Sequence, residues 1–130
     1  MKACAFSLFL LLGPASSSTH VISGEVTSGS SKHPVYVALW QADGFLVTAV
    51  RTVRFEAGVR PAFQFEVAEG RWALSAFEDT NHNGVLDMGL FGPTEPNGFF
   101  KPFTGHHKPS FEEVAFQVEG PLRGLTIALR

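Results

Sequence analysis

Oxygen-bearing side chains occur at every second position in one short stretch of this chain, residues 79–87, which reads DTNHNGVLD. Carboxylate and amide oxygens at this spacing, followed by a glycine that permits a sharp turn, are how a short loop wraps around a hard cation such as Ca²⁺. With Asp79 as position 1, the side chains at positions 3, 5 and 9 belong to Asn81, Asn83 and Asp87, and the backbone carbonyl at position 7 to Val85. The pattern therefore predicts a calcium site.

The loop matches an EF-hand only over its first part. Position 12 is Leu90, where an EF-hand has a bidentate glutamate, and no helical period flanks the loop. The missing acid would have to come from Glu78, Glu95 or a neighbouring loop. Because only two residues of the loop carry a formal charge, we expect an affinity of roughly 10⁻⁴ to 10⁻³ M, as in extracellular modules. The predicted ligands are Asp79, Asn81, Asn83, Val85, Asp87 and Glu95.

An ion-free interpretation competes with the calcium site. Asn83-Gly84 is a favoured pair for a type I′ hairpin turn, and Asp and Asn side chains suit turns without any ion. In that case Asp79 and the asparagines would cap backbone donors. The sequence leaves the two interpretations open.

Catalytic chemistry is less well supported than ion binding. A hydrolase centred on Asp87, Glu95 and His106 is the alternative of the enzyme class, because a carboxylate and an imidazole can act as an acid–base pair. No other nucleophile–base pair or cofactor fingerprint stands out, and we expect a protein that is not an enzyme.

The histidines give no transition-metal motif in the sequence. His106 and His107 are adjacent, so in a strand their side chains would point apart. His20 and His33 have no partners nearby in the sequence, and we expect His82 to face solvent. No third ligand stands at a known spacing.

The first residues form a segment of their own. Lys2 is followed by an apolar run over residues 3–12, which is too short to span a bilayer, and then by Gly13-Pro14 and small residues. This pattern predicts a signal peptide over residues 1–17 and a domain over 18–130, hence a secreted or periplasmic protein without a transmembrane segment after cleavage. Cleavage would remove the single cysteine, Cys4, so the domain could form no disulfide.

Composition is that of one folded domain. Of 130 residues 45% are hydrophobic and 17% are charged, with a formal net charge of −2. The ten Lys and Arg residues form no basic stripe, which argues against nucleic acid as a partner.

Period-two alternation predicts an all-β fold. We expect about seven short strands in a single antiparallel β-sandwich, separated by turn residues. The predicted strands lie at 21–27, 35–40, 50–55, 63–67, 71–78, 114–119 and 125–129, with one helical turn near 110–114.

A long segment over residues 79–113 interrupts the strands and is rich in Phe, Gly and Pro. Long loops inside compact domains are generally functional or disordered, and large aromatic side chains argue against disorder. The loop could fold over one end of the sandwich as a plug, or leave some rings exposed as a surface for an unknown protein or small ligand. The rings concerned are those of Phe91, Phe99, Phe100, Phe103 and Phe111.

The same region resembles the bacterial family of unknown function called DUF2141. Its members share an Asp-x-Asn-x-Asn-Gly-x-x-Asp loop after a strand, then Phe-Gly-x-x-x-Glu, Gly-Phe and a later Phe-x-x-Ala-x-Phe segment. Here these motifs begin at Asp79, Phe91, Gly98 and Phe111; the one departure is that Pro93 directly follows Phe-Gly, where the family often has proline two residues later. The later segment has its counterpart here in residues 109–116, which read PSFEEVAF.

The resemblance implies a secreted or periplasmic β-sandwich similar to transthyretin-like, immunoglobulin-like and carboxypeptidase-regulatory domains, and no established activity. Together with the residues above, it favours an exported, monomeric, non-enzymatic binding or accessory module of the cell envelope with a weak calcium site. The alternatives are a purely structural domain with an ion-free loop plug, and the hydrolase.

Overall fold

The computed structural model describes residues 18–130, so the predicted signal peptide, with Cys4, lies outside the described residues. The described residues form ten strands and one helical turn, which confirms the all-β class. The elements are β1 (Thr19–Thr27), β2 (Val35–Trp40), β3 (Arg51–Phe55), β4 (Ala62–Ala68), β5 (Gly70–Glu78), β6 (Met88–Gly89), β7 (Gly92–Pro93), β8 (Asn97–Phe99), α1 (Phe111–Val114), β9 (Phe116–Val118) and β10 (Leu122–Ala128). No helix in this part of the chain is long and apolar enough to cross a membrane.

Two sheets carry the long strands. The first has five strands in the order β9-β5-β2-β3, with β8 also pairing with β5 beyond the end of β9. The second has the order β10-β1-β4. Pairing is antiparallel except that β10 runs parallel to β1, which alternation in the sequence does not reveal. β6 and β7 form a separate two-stranded ribbon.

The main core contains side chains of both sheets. Along β4 the residues at every second position, Phe63, Phe65 and Val67, are buried while their neighbours are exposed, as a half-buried strand requires. From the other sheet β2 contributes Val35, Val37 and Leu39. The later strands and the chain end add Trp72, Leu74, Ala76, Val118, Leu125, Ile127 and Leu129 to the same core.

The segment predicted to be irregular contains more structure than its sequence suggests. It holds β6, β7 and β8, and the helical turn predicted near 110–114 is confirmed as α1. β8 lies beside β5 and also reaches β10's end, where the backbone N–H groups and carbonyls of Asn97 and Arg130 bond reciprocally at 3.1 Å. The segment is therefore anchored to both sheets at this point.

Four of the five phenylalanines in the segment pack against the domain. Phe111 is buried in a second core cluster, with Phe99 and Phe103 partly buried against it. Phe100 packs on the main core, its ring centroid 5.0 Å from that of Phe116. Phe91, by contrast, is fully exposed (103%). Most of the segment therefore packs on the sandwich, as the plug interpretation predicts. Among the five rings, Phe91 is the one left exposed, as the interpretation of a binding surface predicts.

A candidate ion loop and an exposed apolar hairpin

The loop begins where β5 leaves the sheet. The Glu78 amide donates to the carbonyl of Pro96 at 2.9 Å, and the Asp79 amide donates to that of Pro34 at 2.8 Å. Asp79 is buried, and its carboxylate accepts the backbone N–H of Asn83 on Oδ1 at 3.2 Å and that of Gly84 on Oδ2 at 2.8 Å. The chain therefore curls around the side chain of Asp79.

This curl is not the hairpin turn that Asn83-Gly84 suggests. A type I′ turn needs positive φ at both of its central residues, and here φ is positive at His82 (61°) and Gly84 (79°) but not at Asn83. The predicted type I′ turn is thus wrong. The Val85 amide, which would close such a turn, donates instead to Asn83 Oδ1 at 3.1 Å, while the Asp79 carboxylate accepts the amides of Asn83 and Gly84.

Glu95 folds back onto the loop. It is buried, and its Oε2 accepts the backbone N–H of Thr80 at 2.8 Å and the Thr80 hydroxyl at 3.1 Å. Its Oε1 accepts the backbone N–H of Asp87 at 3.0 Å. The Glu95 carboxylate thereby links Thr80, at the beginning of the loop, to Asp87, at its end. We call this linking carboxylate the clasp.

The remaining polar side chains meet at Asp87. The amide nitrogens of Asn81 and Asn83 both donate to its carboxylate, the latter at 2.7 Å, and Asn83 Oδ1 accepts the N–H of Val85 at 3.1 Å. Asn amides present oxygen after a half-turn of the side chain, so the same positions can supply oxygen ligands. The structure therefore brings together Asp79, Asn81, Asn83, Asp87 and Glu95, with Val85 in the same loop.

The loop and its neighbours carry unbalanced negative charge. Glu78, Asp79 and Glu95 are buried, and neither they nor Asp87 form an ion pair with Lys, Arg or His in the described residues. Glu78 accepts the N–H of Ser30 at 3.1 Å and its hydroxyl. Across residues 18–130 no three His, Cys, Asp or Glu side chains converge on a metal position, so a cation here would depend on amide and carbonyl oxygens as well.

Directly after the loop, the β6–β7 ribbon projects two apolar side chains. Met88 pairs with Pro93 and Gly89 with Gly92, so Leu90 and Phe91 form the turn. Leu90 is 97% exposed and Phe91 103%. This hairpin tip was not predicted from the sequence. The sequence feature that indicates it is a pair of glycines on either side of two large apolar residues. We call Leu90-Phe91 the tip.

The base of this ribbon is fixed by the loop. The Asp87 carbonyl accepts the Thr94 N–H at 2.9 Å and its hydroxyl at 3.3 Å, and the adjacent Glu95 is the clasp. The base of the tip is therefore held by the buried Glu95 carboxylate and the Asp87 carbonyl, while the side chains of the tip face solvent.

The residues of the hydrolase alternative are not assembled. Asp87 and Glu95 meet through the Asp87 N–H, but His106 is exposed and has no hydrogen bond to either acid in the described residues.

His107 Nε2 lies 3.1 Å from the Glu113 carboxylate. The backbone N–H of Ser110, with a smaller contribution from His107, lowers the pKa of Glu113 below its usual range.

Comparison with known proteins identifies a family and no individual relative. The family model described as "Uncharacterized protein conserved in bacteria (DUF2141)" matches residues 27–124, about three quarters of the chain. No curated protein and no solved structure matches.

Proposed function

Because the chain belongs to the bacterial DUF2141 family, whose description names no activity, we propose its function from the site: an exported, non-enzymatic module of the cell envelope that binds a partner protein through the tip and takes calcium in the adjacent loop. The observation that carries the proposal is that Leu90 and Phe91 are almost fully exposed on a ribbon whose base is hydrogen-bonded to the loop.

The tip suits a partner with an apolar recess. Burying a Leu or Phe side chain completely stabilises a complex by about 1.5–3 kcal/mol each. Binding energy in interfaces concentrates in such anchors when they fill a pocket, and a base that is ordered beforehand reduces the entropy lost on binding. Met88 (67% exposed) and Val85 (57%) extend the apolar surface toward the loop.

Calcium is proposed for the loop because of its charge. Carboxylates taken out of water without a cationic partner are unfavourable, and hydrogen bonds from backbone amides offset only part of that cost. An ion held by Asp79, Asp87, the two asparagine oxygens and the Val85 carbonyl would neutralise this cluster, while Glu95 keeps the ends of the loop together. The competing ion-free clasp is supported by a specific observation: each oxygen of Asp79 and Glu95 already accepts a hydrogen bond.

Calcium is expected to stabilise the protein against heat. At 10 mM Ca²⁺ and a Kd of about 10⁻⁴ to 10⁻³ M, the free energy of unfolding should rise by about 1.5–3 kcal/mol, or roughly 5–10 °C in Tm. The measurement is thermal unfolding with Ca²⁺ and with Mg²⁺, which should have little effect because it demands a tight octahedron.

Asp87→Asn is the matched variant, since it removes a charge but keeps the size of the side chain. It should lose the response to calcium, whereas Asp43→Asn, at an exposed turn, should keep it. A wild-type Tm that calcium leaves unchanged would decide for the ion-free clasp, and an unaltered response in Asp87→Asn would place the ion elsewhere.

The tip is expected to contact a protein in the envelope. With the photo-crosslinker p-benzoylphenylalanine at position 91 of the exported chain in a bacterium that encodes it, we expect one defined protein adduct after irradiation. The same residue at position 47 is the control, because Val47 is also apolar and 81% exposed but lies in another loop. An adduct pattern common to both positions, or crosslinks to lipid alone, would contradict the proposal.

A further inference from the structure

Two histidines far apart in the sequence face each other beside the loop. His33 Nδ1 lies 3.5 Å from His82 Nε2, and the two rings meet edge to face with centroids 5.6 Å apart and planes at 84°. The two residues are 49 positions apart in the sequence, so the pair could not be predicted from local spacing; His33 had no neighbouring partner and His82 was expected to face solvent.

The distance between the two nitrogens fits a shared metal ion better than a hydrogen bond. An N–H···N bond is normally about 2.7–3.2 Å long. Two imidazole nitrogens that each bind one tetrahedral ion at about 2.0–2.1 Å lie about 3.3–3.4 Å apart. The observed separation of 3.5 Å is within about 0.2 Å of that value.

The backbone on both sides of the pair is held in place. His33 precedes Pro34, whose carbonyl accepts the Asp79 N–H at 2.8 Å, and Ser30 is tied to the buried Glu78 carboxylate. On the other side the N–H of His82 lies 3.4 Å from the carbonyl of Asp79. The two histidines thus project from loops that are linked to each other through the end of β5.

His82 stands in the left-handed conformation, with φ of 61°. A residue other than glycine adopts it only where the surroundings hold it there. In this conformation its imidazole lies against that of His33, and no hydrogen bond joins it to the carboxylate of Asp87 in the described residues.

We propose that His33 and His82 form a site for a divalent transition-metal ion of the zinc, copper or nickel class, for which imidazole is a suitable ligand. With two protein ligands the remaining positions belong to water or a small ligand, so the ion is exchangeable. His33 also borders a cleft of about 150 Å³ lined in part by Glu56 and Val59.

This site is distinct from the proposed calcium loop. It uses nitrogen ligands, which a hard cation does not prefer, and it does not require the oxygen side chains at Asp87. A bound ion would join the loop around residues 28–34 to the loop over 79–87. The site can therefore exist whether or not the loop binds calcium.

Titration of the mature chain with Zn²⁺ by calorimetry tests the site, with Cu²⁺ and its electron paramagnetic resonance spectrum as the second readout. We expect one equivalent of Zn²⁺ and a Cu²⁺ spectrum with coupling to two nitrogens. Loss of a group that merely orients a metal ligand weakens metal binding roughly 10–100-fold, so loss of a ligand itself in His33→Asn or His82→Asn should weaken Zn²⁺ binding at least ~10-fold. Asparagine also tolerates the left-handed conformation at position 82.

His106→Asn is the control, because His106 is exposed and belongs to the other histidine pair of the chain. It should leave Zn²⁺ affinity unchanged. The proposal fails if the wild type shows no saturable equivalent, if either variant at 33 or 82 binds like the wild type, or if His106→Asn is the variant that loses binding. Circular dichroism confirms that each variant is folded, and the response to Ca²⁺ should persist in all of them.

Discussion

Replacing Glu95 by alanine is expected to lower the free energy of unfolding by about 3–5 kcal/mol. The buried carboxylate accepts two backbone N–H groups and one hydroxyl, from Thr80 and Asp87. Each donor left without a partner costs about 1–3 kcal/mol, more when the lost acceptor was charged. Because the two residues stand at opposite ends of the loop, the loss should also release the base of the ribbon.

The variant Glu95→Gln removes the negative charge of the side chain at position 95 without changing its size. Glutamine keeps the shape but turns an N–H₂ group toward one of the donors, so a loss of about 2–3 kcal/mol is expected. Urea unfolding gives the values, and Glu119→Gln, at an exposed position in the turn after β9, should change them little. If Glu95→Gln unfolds at the same urea concentration as Glu119→Gln, Glu95 is not the clasp that the geometry indicates.

Gly98→Ala is expected to destabilise the protein by about 3 kcal/mol, at the upper end of what overpacking costs. Gly98 lies in β8 against the end of β10, and a Cβ there would overlap the backbone carbonyl oxygen of Ala128. Backbone cannot move aside as a flexible side chain can. The strand would have to separate from β10, which would break the reciprocal bonds between Asn97 and Arg130.

Gly120→Ala is the matched control for this change. Gly120 has no positive φ and no atom within 4 Å of an added Cβ, so its replacement should be neutral or slightly stabilising. Chemical unfolding of both variants measures the difference. Equal stabilities would show that β8 does not join the two sheets as closely as described.

The two replacements act on the two anchors of one segment. Glu95 ties the loop to the base of the ribbon, and Gly98 lets β8 approach β10 directly afterwards. Between the loop and these anchors lies the tip. We therefore expect that variants at 95 and 98 reduce the crosslinking from position 91, whereas Gly120→Ala leaves it intact.

The strands, their inward faces and the helical turn were predictable because the signals are local. Alternation of Phe63, Phe65 and Val67 is set by the period of a strand, and Ser110 with Glu113 lies within reach of a single turn. The spacing of oxygen side chains in the loop is likewise local, and those side chains do lie together. The prediction of a type I′ turn failed although Asn83 and Gly84 are adjacent, because the chain wraps its amides around the Asp79 carboxylate and the Val85 amide donates to the Asn83 side chain.

The sequence by itself determined the class of fold, the core positions and the composition of the loop, since these follow from the order of polar and apolar residues along a few neighbours. Only the tertiary structure decided which distant groups meet: Glu95 as a clasp, β10 parallel to β1, and His33 opposite His82. It also decided that Phe111 is buried and Phe91 exposed. Both rings are equally apolar, and the difference is that Phe111 packs in the second core cluster, with Phe45 and Ala73 among its members, whereas Phe91 stands at the tip.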